Sequence, residues 1–538
     1  MTPHCIEKDV LIVGAGPVGL VMACELLQQG FSVRLIERGS SSAVHSRAVI
    51  TWPRSLELLR RIGVADELAD SGAHLDSVSY YSGDRRLGVL KMSKLNDTPY
   101  PFGLCNPQHR TEEIIRRRVV ELGGHIESNV ALIGLDNTGA RPVATLLRSG
   151  DGTIEHVEPD WLIGADGSRS TVRELLNIQF AGTGQDVLFA ICDGPLEASL
   201  PEHEMLYCYR DGGAMGLAPF GDGIFRLACA VPVWNDDDTP PRELFQENLD
   251  RVVPFDARVG ELQWTTVFRA RRRTAAQFRS GRCFLIGDAA HIFSAAGSQG
   301  MNTGFQDAVN LAWKLAGVRA GTLSATILDT YDHERRHSAE RVSSITAKQT
   351  SWGLIRRPAR VAVRDLLVRG AERTGTLQRV VTPLMSQLTT NYASSGESAR
   401  ADIRWWPRSV RPGERLPVFS QAISTGDGWP IIAADRLTVA LWSGGTRDVE
   451  WQRTCTAITD ALDPTIPVAD LSGWPAFTRL LPAERCALLL RPDGHVHDLC
   501  RDPDTAQVRQ MLALAGVGTA YEGTAQRVDN IEPAEVSL

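Results

Sequence analysis

The sequence predicts an α/β fold (α+β overall), in which a Rossmann-like nucleotide-binding domain is interrupted by an antiparallel sheet and followed by a C-terminal α/β domain. Two apolar strands that end near Gly14 and Gly164 each lead through small residues into a helix, as in the βα units of a parallel sheet. A third such strand stops at Gly287. Residues 187 to 266 alternate apolar and polar positions between turn residues, which indicates antiparallel strands.

Length and composition restrict the class of protein. The 538 residues exceed what one hydrophobic core accommodates, so we expect two or three domains. The 57 basic and 64 acidic residues give a net charge of -7, which disfavours nucleic acid as a partner. No apolar run reaches the length of a membrane span, and the first residues lack a signal-peptide core. We therefore expect a cytoplasmic protein that does not bind membranes.

The first βα unit carries a dinucleotide fingerprint. A β-branched strand, Asp9 to Val13, enters a glycine-rich turn, and after the next helix a second strand ends at Glu37. In this pattern the first glycine makes the tight turn, the second lets the backbone meet a pyrophosphate, the third allows close helix packing and the acid accepts from a ribose. The strand, the helix, the second strand and the acid all occupy the positions that this pattern requires around the turn Gly14-Ala15-Gly16-Pro17-Val18-Gly19.

Two further strand ends carry acids. Residues 161 to 164 form a strand that is followed by Asp166, and Cys283 to Ile286 form a strand that is followed by Asp288. After Asp288, small residues form a loop, and a helix that begins near Asn302 directs its free N–H groups into that loop. A carboxylate and a helix N-terminus suit a flavin dinucleotide. On this stretch alone, an aspartate that caps the turn is an equal alternative.

Two other residues near the predicted nucleotide site have ordinary alternatives. Arg47 follows the second strand closely and could reach a pyrophosphate, or it is a solvated arginine. Gln108 stands at the start of a helix over residues 110 to 122, and its spacing alone assigns it no further role. Residues 75 to 92 alternate and join residues 187 to 266 in a sheet that we expect to form one wall of a substrate pocket.

No metal site is predicted. The 10 cysteines show no CxxC or paired spacing, which indicates reduced, mostly buried thiols. Residues His333 to His337 read HERRH and formally match the HExxH zinc helix, but a third ligand is missing and the charge density is typical of a solvated helix. His495 and His497 lie on one face of a predicted strand without a further cluster, so surface histidines are expected.

Beyond a linker-like segment, residues 394 to 414, the sequence predicts a second α/β unit. It consists of a strand at 437–443, a helix at 451–462, a hairpin at 486–496 that turns at Pro492-Asp493-Gly494, and a helix at 505–515. This βαββα order looks like the second half of a thioredoxin fold. Without CxxC it is not expected to perform dithiol chemistry.

Three stretches together resemble a known family, the single-component FAD-dependent aromatic hydroxylases of the p-hydroxybenzoate hydroxylase type. They are the GxGxxG turn with Glu37, the stretch GADGSRSTVR, and GDAAH followed by GMNTGFQDAVNLAWKL. The C-terminal stretches RPGERLP and LLLRPDGHV look like the subgroup that acts on polycyclic aromatic polyketides and similar phenols and carries a thioredoxin-like tail. The resemblance covers nearly the whole chain.

The resemblance also implies a set of site residues. Glu37 and Arg38 hold the adenosine ribose region, Asp288 binds the ribityl chain, and Asp166 serves both FAD and NADPH. Arg47 and Gln108 contact the FAD, and residues 300 to 302 face the flavin ring. The complete candidate set for cofactor binding is Gly14, Gly16, Pro17, Gly19, Glu37, Arg38, Arg47, Gln108, Asp166, Asp288, Ala295, Gly300, Met301 and Asn302.

The sequence departs from the family pattern in the loop over the flavin. Ala295 stands where a proline is usual, and Ser298 stands where a second glycine is usual. The backbone carbonyl at position 295 is still available to the flavin, with less rigidity than a proline provides. The end of the tail, HVHDLCRD, also lacks the usual tryptophan. We expect these changes to affect the substrate class, and the efficiency with which reductant use is coupled to oxygenation, more than they affect FAD binding.

The expected function is that of a monooxygenase that uses FAD, NADPH or NADH, and O2 to hydroxylate a phenolic or polycyclic aromatic compound in aromatic polyketide tailoring. The resemblance implies a C4a-hydroperoxide of the flavin, and no residue is identified as catalytic base. Baeyer–Villiger oxygen insertion and a non-oxygenating flavin-binding protein are alternatives. Halogenation is disfavoured because WxWxIP is absent. Both a monomer and a homo-oligomer are compatible with the sequence.

The expected domain division follows from these features. The FAD-binding domain takes residues 1–75, 101–186 and 267–393, the last with a helical segment. The substrate domain takes residues 76–100 and 187–266, the linker takes 394–414, and the thioredoxin-like domain takes 415–538.

Overall fold

The computed structural model describes residues 9–40, 49–182, 184–231, 234, 238–294, 296–392, 410–417, 432–433, 435–474, 477–478 and 480–517, with the backbone alone for 184–186. Two candidate residues, Arg47 and Ala295, lie outside the described residues. Most of the predicted linker lies outside them as well.

The α-helices of the described residues are, in chain order, α1 (Pro17–Gln28), α2 (Pro53–Arg61), α3 (Ala65–Asp70), α4 (Gln108–Glu121), α5 (Thr171–Leu175), α6 (Arg242–Val252), α7 (Gly300–Arg319), α8 (Asp329–Gly353), α9 (Pro358–Arg373), α10 (Thr382–Met385), α11 (Val449–Ala461) and α12 (Thr505–Leu514).

The strands are β1 (Val10–Val13), β2 (Val33–Glu37), β3 (Ile50–Thr51), β4 (Ala73–Leu75), β5 (Ser77–Ser82), β6 (Arg85–Lys91), β7 (Gly103–Cys105), β8 (Ile126–Ser128), β9 (Val130–Asp136), β10 (Val143–Arg148), β11 (Ile154–Val157), β12 (Trp161–Gly164), β13 (Phe180–Ala181), β14 (Gly184–Ala198), β15 (Glu204–Arg210), β16 (Gly213–Gly221), β17 (Ile224–Val231), β18 (Ala257–Val259), β19 (Trp264–Arg271), β20 (Arg273–Ala275), β21 (Arg279–Ser280), β22 (Cys283–Leu285), β23 (His291–Ile292), β24 (Thr438–Trp442), β25 (Val468–Asp470), β26 (Cys486–Leu490) and β27 (Val496–Arg501).

A mostly parallel sheet forms the nucleotide-binding part, in the strand order β21-β22-β12-β1-β2-β8. Strand β1 lies between β2 and β12, and Ile12 pairs with Leu35 on one side and with Ile163 on the other. The β1 residues are all buried because helices cover the sheet, and α1 packs against α4 and α7. The carboxyl ends of β1, β12 and β22 therefore meet at one edge, where ligands bind in open α/β sheets.

A second, mainly antiparallel sheet has the order β18-β14-β17-β16-β15-β5-β6, and β19 also pairs with β14. Strand β5 runs parallel to β15 and thereby joins residues 77–82 to the later strands. Helix α6 was not predicted within this region, although Phe245, Leu249 and Val252 recur at helical spacing after Pro241. These three apolar side chains are buried against the sheet. The prediction failed because a strand pattern was extended across a helical segment.

The C-terminal part has a four-stranded sheet in the order β25-β24-β26-β27. Strand β24 is parallel to β25 and antiparallel to β26, which forms a hairpin with β27. The predicted order is thus extended by β25, a three-residue strand that is too short to carry a period in the sequence. Within the described residues, no helix is both long and apolar enough to span a membrane.

Candidate active site

A cleft of about 590 Å³ lies at the carboxyl edge of the parallel sheet. The glycine turn after β1, the start of α4, the turn after β22 and the start of α7 all reach it, and β19 closes the other side. Residues that the sequence places far apart are therefore brought together. The candidate residues that line this cleft are Gly16, Pro17, Gln108, Asp288, Gly300 and Met301.

The glycine turn has the geometry that a pyrophosphate requires. Gly14 adopts a φ of +106°, and a Cβ there would lie 2.5 Å from the carbonyl oxygen of Ala165. A Cβ on Gly19 would overlap the carbonyl oxygen of Gly14. A Cβ on Gly16 would meet no protein atom within 4 Å, so the space beside it is open for a bound group. Gly16 also caps α1 without a side-chain hydrogen bond, which leaves the helix N–H groups available to an anion.

Glu37 stabilises this turn from the end of β2. Its Oε2 accepts the N–H of Ala15 at 2.9 Å, and its Oε1 accepts the N–H of Gly39 at 3.1 Å. A carboxylate has about four acceptor positions, so two backbone bonds leave capacity for a ribose hydroxyl. Arg38, the next residue, is exposed.

The two aspartates at the other strand ends differ in their surroundings. Asp166 accepts from the hydroxyl of Ser170, the N-cap residue of α5, at 2.5 Å and from the N–H of Val172 in the first turn of that helix at 3.1 Å. Burial raises the pKa of Asp166, and these hydrogen bonds oppose the rise. Its neighbours Ala165 and Gly167 line the cleft. Asp288, by contrast, is exposed on a short 3-10 turn and lines the cleft itself.

At the other end of the cleft, the first turn of α7 presents Gly300 and Met301. The side chain of the N-cap residue, Gln299, makes no hydrogen bond to the N–H groups of the first helical turn. The positive end of the helix dipole at this position suits a ligand oxygen that carries negative charge. The side chain of Asn302 is directed elsewhere. Its Oδ1 accepts the N–H of Trp52 at 2.8 Å, and its Nδ2 donates to the carbonyl oxygen of Ile50 at 2.8 Å, so only its backbone remains for a ligand.

Asp307 is a buried residue that the sequence analysis did not single out. Its Oδ2 accepts the N–H of Gly287 at 3.0 Å and lies 2.6 Å from Nε2 of His291, while its Oδ1 accepts from Nε of Arg335 at 2.7 Å. Burial alone raises the pKa of Asp307, but His291 and Arg335 hold it below its usual value. Because Gly287 precedes Asp288, this carboxylate fixes the turn that presents Asp288 to the cleft.

Arg335 belongs to the HERRH stretch, and the expectation of a solvated helix is wrong for its central residues. Glu334 and Arg335 are buried, whereas His333 is exposed. Across the described residues, no group of three or more histidine, cysteine or acidic side chains is arranged to hold a metal ion. Of the cysteines that the structure describes, all are free and most are buried, which agrees with the sequence expectation.

Glu334 belongs to a group of buried charges that we call the hairpin charge cluster and define as Lys314, Glu334, Arg491, Asp493 and His495. Arg491 donates to both oxygens of Glu334 at 2.8 and 2.9 Å and to Asp493 at 2.8 Å, and Lys314 donates to Glu334 at 2.9 Å. His495 was expected on the surface, but it is fully buried beside Asp493, and burial lowers its pKa to about 4. The cluster joins the C-terminal hairpin to α7 and α8.

A second cavity of about 110 Å³ adjoins the cleft, and Phe268 and Ser298 line both. Its walls come from the antiparallel sheet and the end of α8, and their apolar members include Phe189, Ile191, Met205, Met215, Phe268 and Leu354. Phe189 and Phe268 stack at 5.8 Å. The polar side chains are few, as in sites that bind aromatic ligands: Tyr207, Tyr209, Arg226, Ser298, Gln349 and Thr350.

The loop between the two cavities is held in place by named bonds. The N–H of Gly297 donates to the hydroxyl of Tyr207 at 3.2 Å, and its carbonyl oxygen accepts from Nε1 of Trp52 at 2.8 Å and from Nε2 of Gln299 at 3.0 Å. Burial raises the pKa of Tyr207 to about 12, so its phenol stays protonated at neutral pH.

The glycine turn, the acidic strand end and the two open helix N-termini together fit FAD.

Similarity to known proteins agrees with this geometry. Residues 7–346 match the family described as FAD binding domain, and the chain belongs to that family. The 6-methylpretetramide 4-monooxygenase of Streptomyces rimosus is 38% identical over 416 residues, which cover 73% of this chain and 72% of that enzyme. The chain is a flavin-dependent monooxygenase with FAD as its cofactor, and the resemblance to FAD-dependent aromatic hydroxylases is confirmed.

Two solved structures share the fold. The anhydrotetracycline hydroxylase from Streptomyces rimosus has a TM-score of 0.72 and 26% identity, covering 96% of this chain and 100% of that one. A flavin-dependent monooxygenase, PieE, in complex with FAD and substrate, has a TM-score of 0.74 over 95% of this chain and 98% of that one. At 20% identity the latter supports the fold alone. The mixed α/β fold class expected from the sequence is thereby confirmed.

Proposed function

We propose that this enzyme uses NADPH or NADH and O2 to hydroxylate a phenolic or polycyclic aromatic compound, in the tailoring of an aromatic polyketide. The observation that carries the proposal is the second cavity. It is mostly apolar, its wall includes a stacked pair of phenylalanines, and it shares Phe268 and Ser298 with the cleft whose α7 end we assign to the flavin ring. The names of the similar monooxygenases support a fused-ring substrate.

In this proposal, different residues of the cleft bind different parts of the FAD. The turn of Gly14, Gly16, Pro17 and Gly19 holds the pyrophosphate, Glu37 and Arg38 the adenosine ribose, and Asp288 the ribityl chain. Gln108 contacts the FAD from the start of α4. Asp166 belongs to the motif that contacts both FAD and the nicotinamide cofactor. The backbone N–H groups of residues 300–302 face the ring. Arg47 and Ala295, outside the described residues, remain candidates on sequence alone.

FAD, once reduced by the nicotinamide cofactor, supplies the activation of O2. The chain's own residues position and enclose the substrate. The apolar walls exclude water, which protects a reactive intermediate and strengthens each polar contact. Tyr207 is protonated and accepts from Gly297, and its own O–H proton is directed to no acceptor within the described residues, so it can donate to a substrate oxygen. Placement beside the flavin, not a covalent nucleophile, is the protein's contribution.

The domain division stays a proposal as well. We assign 1–75, 101–186 and 267–393 to FAD, 76–100 and 187–266 to substrate, and 415–538 to a thioredoxin-like tail. The pairing of β5 with β15 supports the two-part substrate domain, and the sheet order of the C-terminal part supports the tail. A cytoplasmic location is part of the same proposal, and the number of subunits stays open between a monomer and a homo-oligomer.

The test is the dependence of reductant use on the aromatic compound. Purified FAD-loaded enzyme is mixed with NADPH or NADH, and the oxidation rate is followed with and without members of a panel of phenols and fused-ring ketones. We expect slow oxidation alone and a sharp increase with a productive substrate, whose product gains one oxygen. Oxidation that no aromatic compound accelerates, together with the absence of any oxygenated product, would contradict the proposal.

A further inference from the structure

Among the described residues, the buried amide of Gln349 in the second cavity has no hydrogen-bond partner. Gln349 lies near the end of α8, on the face where Gln349, Thr350, Gly353 and Leu354 line the cavity. Its Nε2 and Oε1 atoms are both buried, and neither makes a hydrogen bond within the part of the chain that the structure describes. Thr350 next to it bonds to Ser294 at 2.7 Å. The unpartnered amide is therefore a feature of Gln349 and not of the whole helix end.

The other buried glutamines nearby are all satisfied. Gln299 donates to the carbonyl oxygens of Gly297 and Met385, Gln306 donates to Gln387 at 2.5 Å, and Gln387 donates to Oε1 of Gln299 at 2.6 Å. These residues bond to one another and to backbone carbonyl oxygens beside the start of α7. Buried polar groups in proteins are almost always hydrogen-bonded, so an amide excluded from such a network is expected to meet a ligand or an ordered water.

Gln349 lies close to the proposed position of the flavin ring. Its Oε1 lies 3.1 Å from the place that a Cβ on Gly297 would occupy, so the amide packs directly on the loop between the two cavities. Gly297 also bonds to the hydroxyl of Tyr207. Two residues further along, the same loop reaches Gln299 and the start of α7, which lines the FAD cleft. A ligand held by Gln349 is consequently held beside the proposed position of the flavin ring.

We infer that Gln349 is a specificity-determining residue that binds a hydrogen-bond donor and an adjacent hydrogen-bond acceptor on the rim of an aromatic substrate. A primary amide carries a donor and an acceptor side by side, so it is complementary to a group that presents an acceptor and a donor at the same spacing. A phenol alone or a ketone alone satisfies only half of the amide. This inference rests on the proposed function, since it names the class of substrate that the same site takes.

The test measures binding to the oxidised, FAD-loaded enzyme, so that it requires no turnover. The probes are three bicyclic compounds of one size: 3,4-dihydroquinolin-2-one, with an N–H donor beside a carbonyl acceptor and no internal hydrogen bond; 2-tetralone, with the carbonyl alone; and 1,2,3,4-tetrahydroquinoline, with the N–H alone. Dissociation constants come from the change in flavin absorbance. The wild type, Gln349→Leu and the control Gln452→Leu are compared. Gln452 is an exposed glutamine on α11, remote from both cavities.

We expect the wild type and the control to bind the compound with adjacent donor and acceptor about 10-fold or more tighter than either single-group compound, and Gln349→Leu to lose that preference. The thermal unfolding temperature of Gln349→Leu should equal or exceed that of the wild type, because an apolar side chain of similar shape replaces unsatisfied polar atoms. A purely structural role predicts a lower unfolding temperature and equal weakening for all three ligands.

Two outcomes overturn the inference. One is a wild-type enzyme that does not distinguish the three compounds, which needs no variant to establish. The other is a Gln349→Leu variant that keeps the preference, or that unfolds at a lower temperature than the wild type. If the proposed oxygenation fails while the binding preference is found, the reaction is wrong and the role of Gln349 in ligand selection stands.

Discussion

Replacement of Arg491 tests how the C-terminal hairpin is held against α7 and α8. Arg491 is almost fully buried and makes three charge-assisted hydrogen bonds of 2.8 to 2.9 Å, two to Glu334 and one to Asp493. Removing one partner of a buried ion pair costs about 3–5 kcal/mol, because the remaining charge stays buried without compensation. Lys314 still donates to Glu334, and His495 still contacts Asp493. We therefore expect Arg491→Ala to cost about 3 kcal/mol, at the lower end of that range.

The assay is urea-induced unfolding of the FAD-loaded enzyme, followed by tryptophan and flavin fluorescence together. Since Glu334 and Lys314 belong to α8 and α7, both signals should shift to lower urea in Arg491→Ala. The matched control is Arg501→Ala, at the end of β27 in the same C-terminal hairpin. Arg501 and its partner Glu484 are 65% and 56% exposed, so the loss should be about 0–1 kcal/mol. A cost for Arg491→Ala that does not exceed the control would refute the account of the hairpin charge cluster.

Three further predictions concern the cofactor site and pH. Asp288→Ala should weaken FAD binding, as measured by FAD retained after desalting, because the cleft loses the carboxylate that we assign to the ribityl chain. Gly16→Val should abolish FAD binding, as measured by flavin absorbance of folded protein, because its side chain enters the open space beside the glycine turn. Acidification from pH 6.5 to 4 should lower the free energy of unfolding, by up to about 3 kcal/mol through His495, as measured by urea titration at each pH.

The sign of the pH effect follows from the direction of the pKa shift. Burial lowers the pKa of His495 from its ordinary value of 6.5 to about 4 in the folded protein, so the unfolded chain binds the proton first as pH falls. The stabilisation is complete above pH 6.5 and is lost on acidification. A His495→Asn variant should show a shallower dependence, and an unchanged slope would contradict the assignment.

For FAD binding, Asp84→Ala is the control, since Asp84 is exposed and lies outside the cleft. Full FAD retention in Asp288→Ala would remove that residue from the site.

Much of the cleft could be predicted because its parts are local. A strand, a glycine turn and a helix within twenty residues specify one βα unit, and an acid directly after a buried strand is placed by the strand itself. The bounds of β12 agree with the residues 161 to 164 expected from sequence, and α4 begins at Gln108, close to its expected start. Gly16, Asp288 and Gly300 line one cleft because each belongs to such a unit.

The remaining residues depend on tertiary contacts that leave no local pattern. Asp307 and Arg335 are 28 positions apart, and Glu334 meets Arg491 at a separation of 157. Charged residues at helical spacing are usually solvated, so the sequence favoured exposure, and only the packing of α7, α8 and the C-terminal hairpin buries these charges. Gln349 carries no sequence signal either, because its unpartnered amide becomes visible only when the surrounding side chains are placed.

The most direct test of the central claim is the fate of isotope-labelled O2. The enzyme is turned over with NADPH, labelled O2 and the aromatic compound that most accelerates NADPH oxidation, and the product is analysed by mass and by structure. We predict one labelled oxygen as a new hydroxyl on the aromatic ring. Label within an enlarged lactone ring would establish Baeyer–Villiger insertion instead, and an unlabelled product would contradict the monooxygenase account.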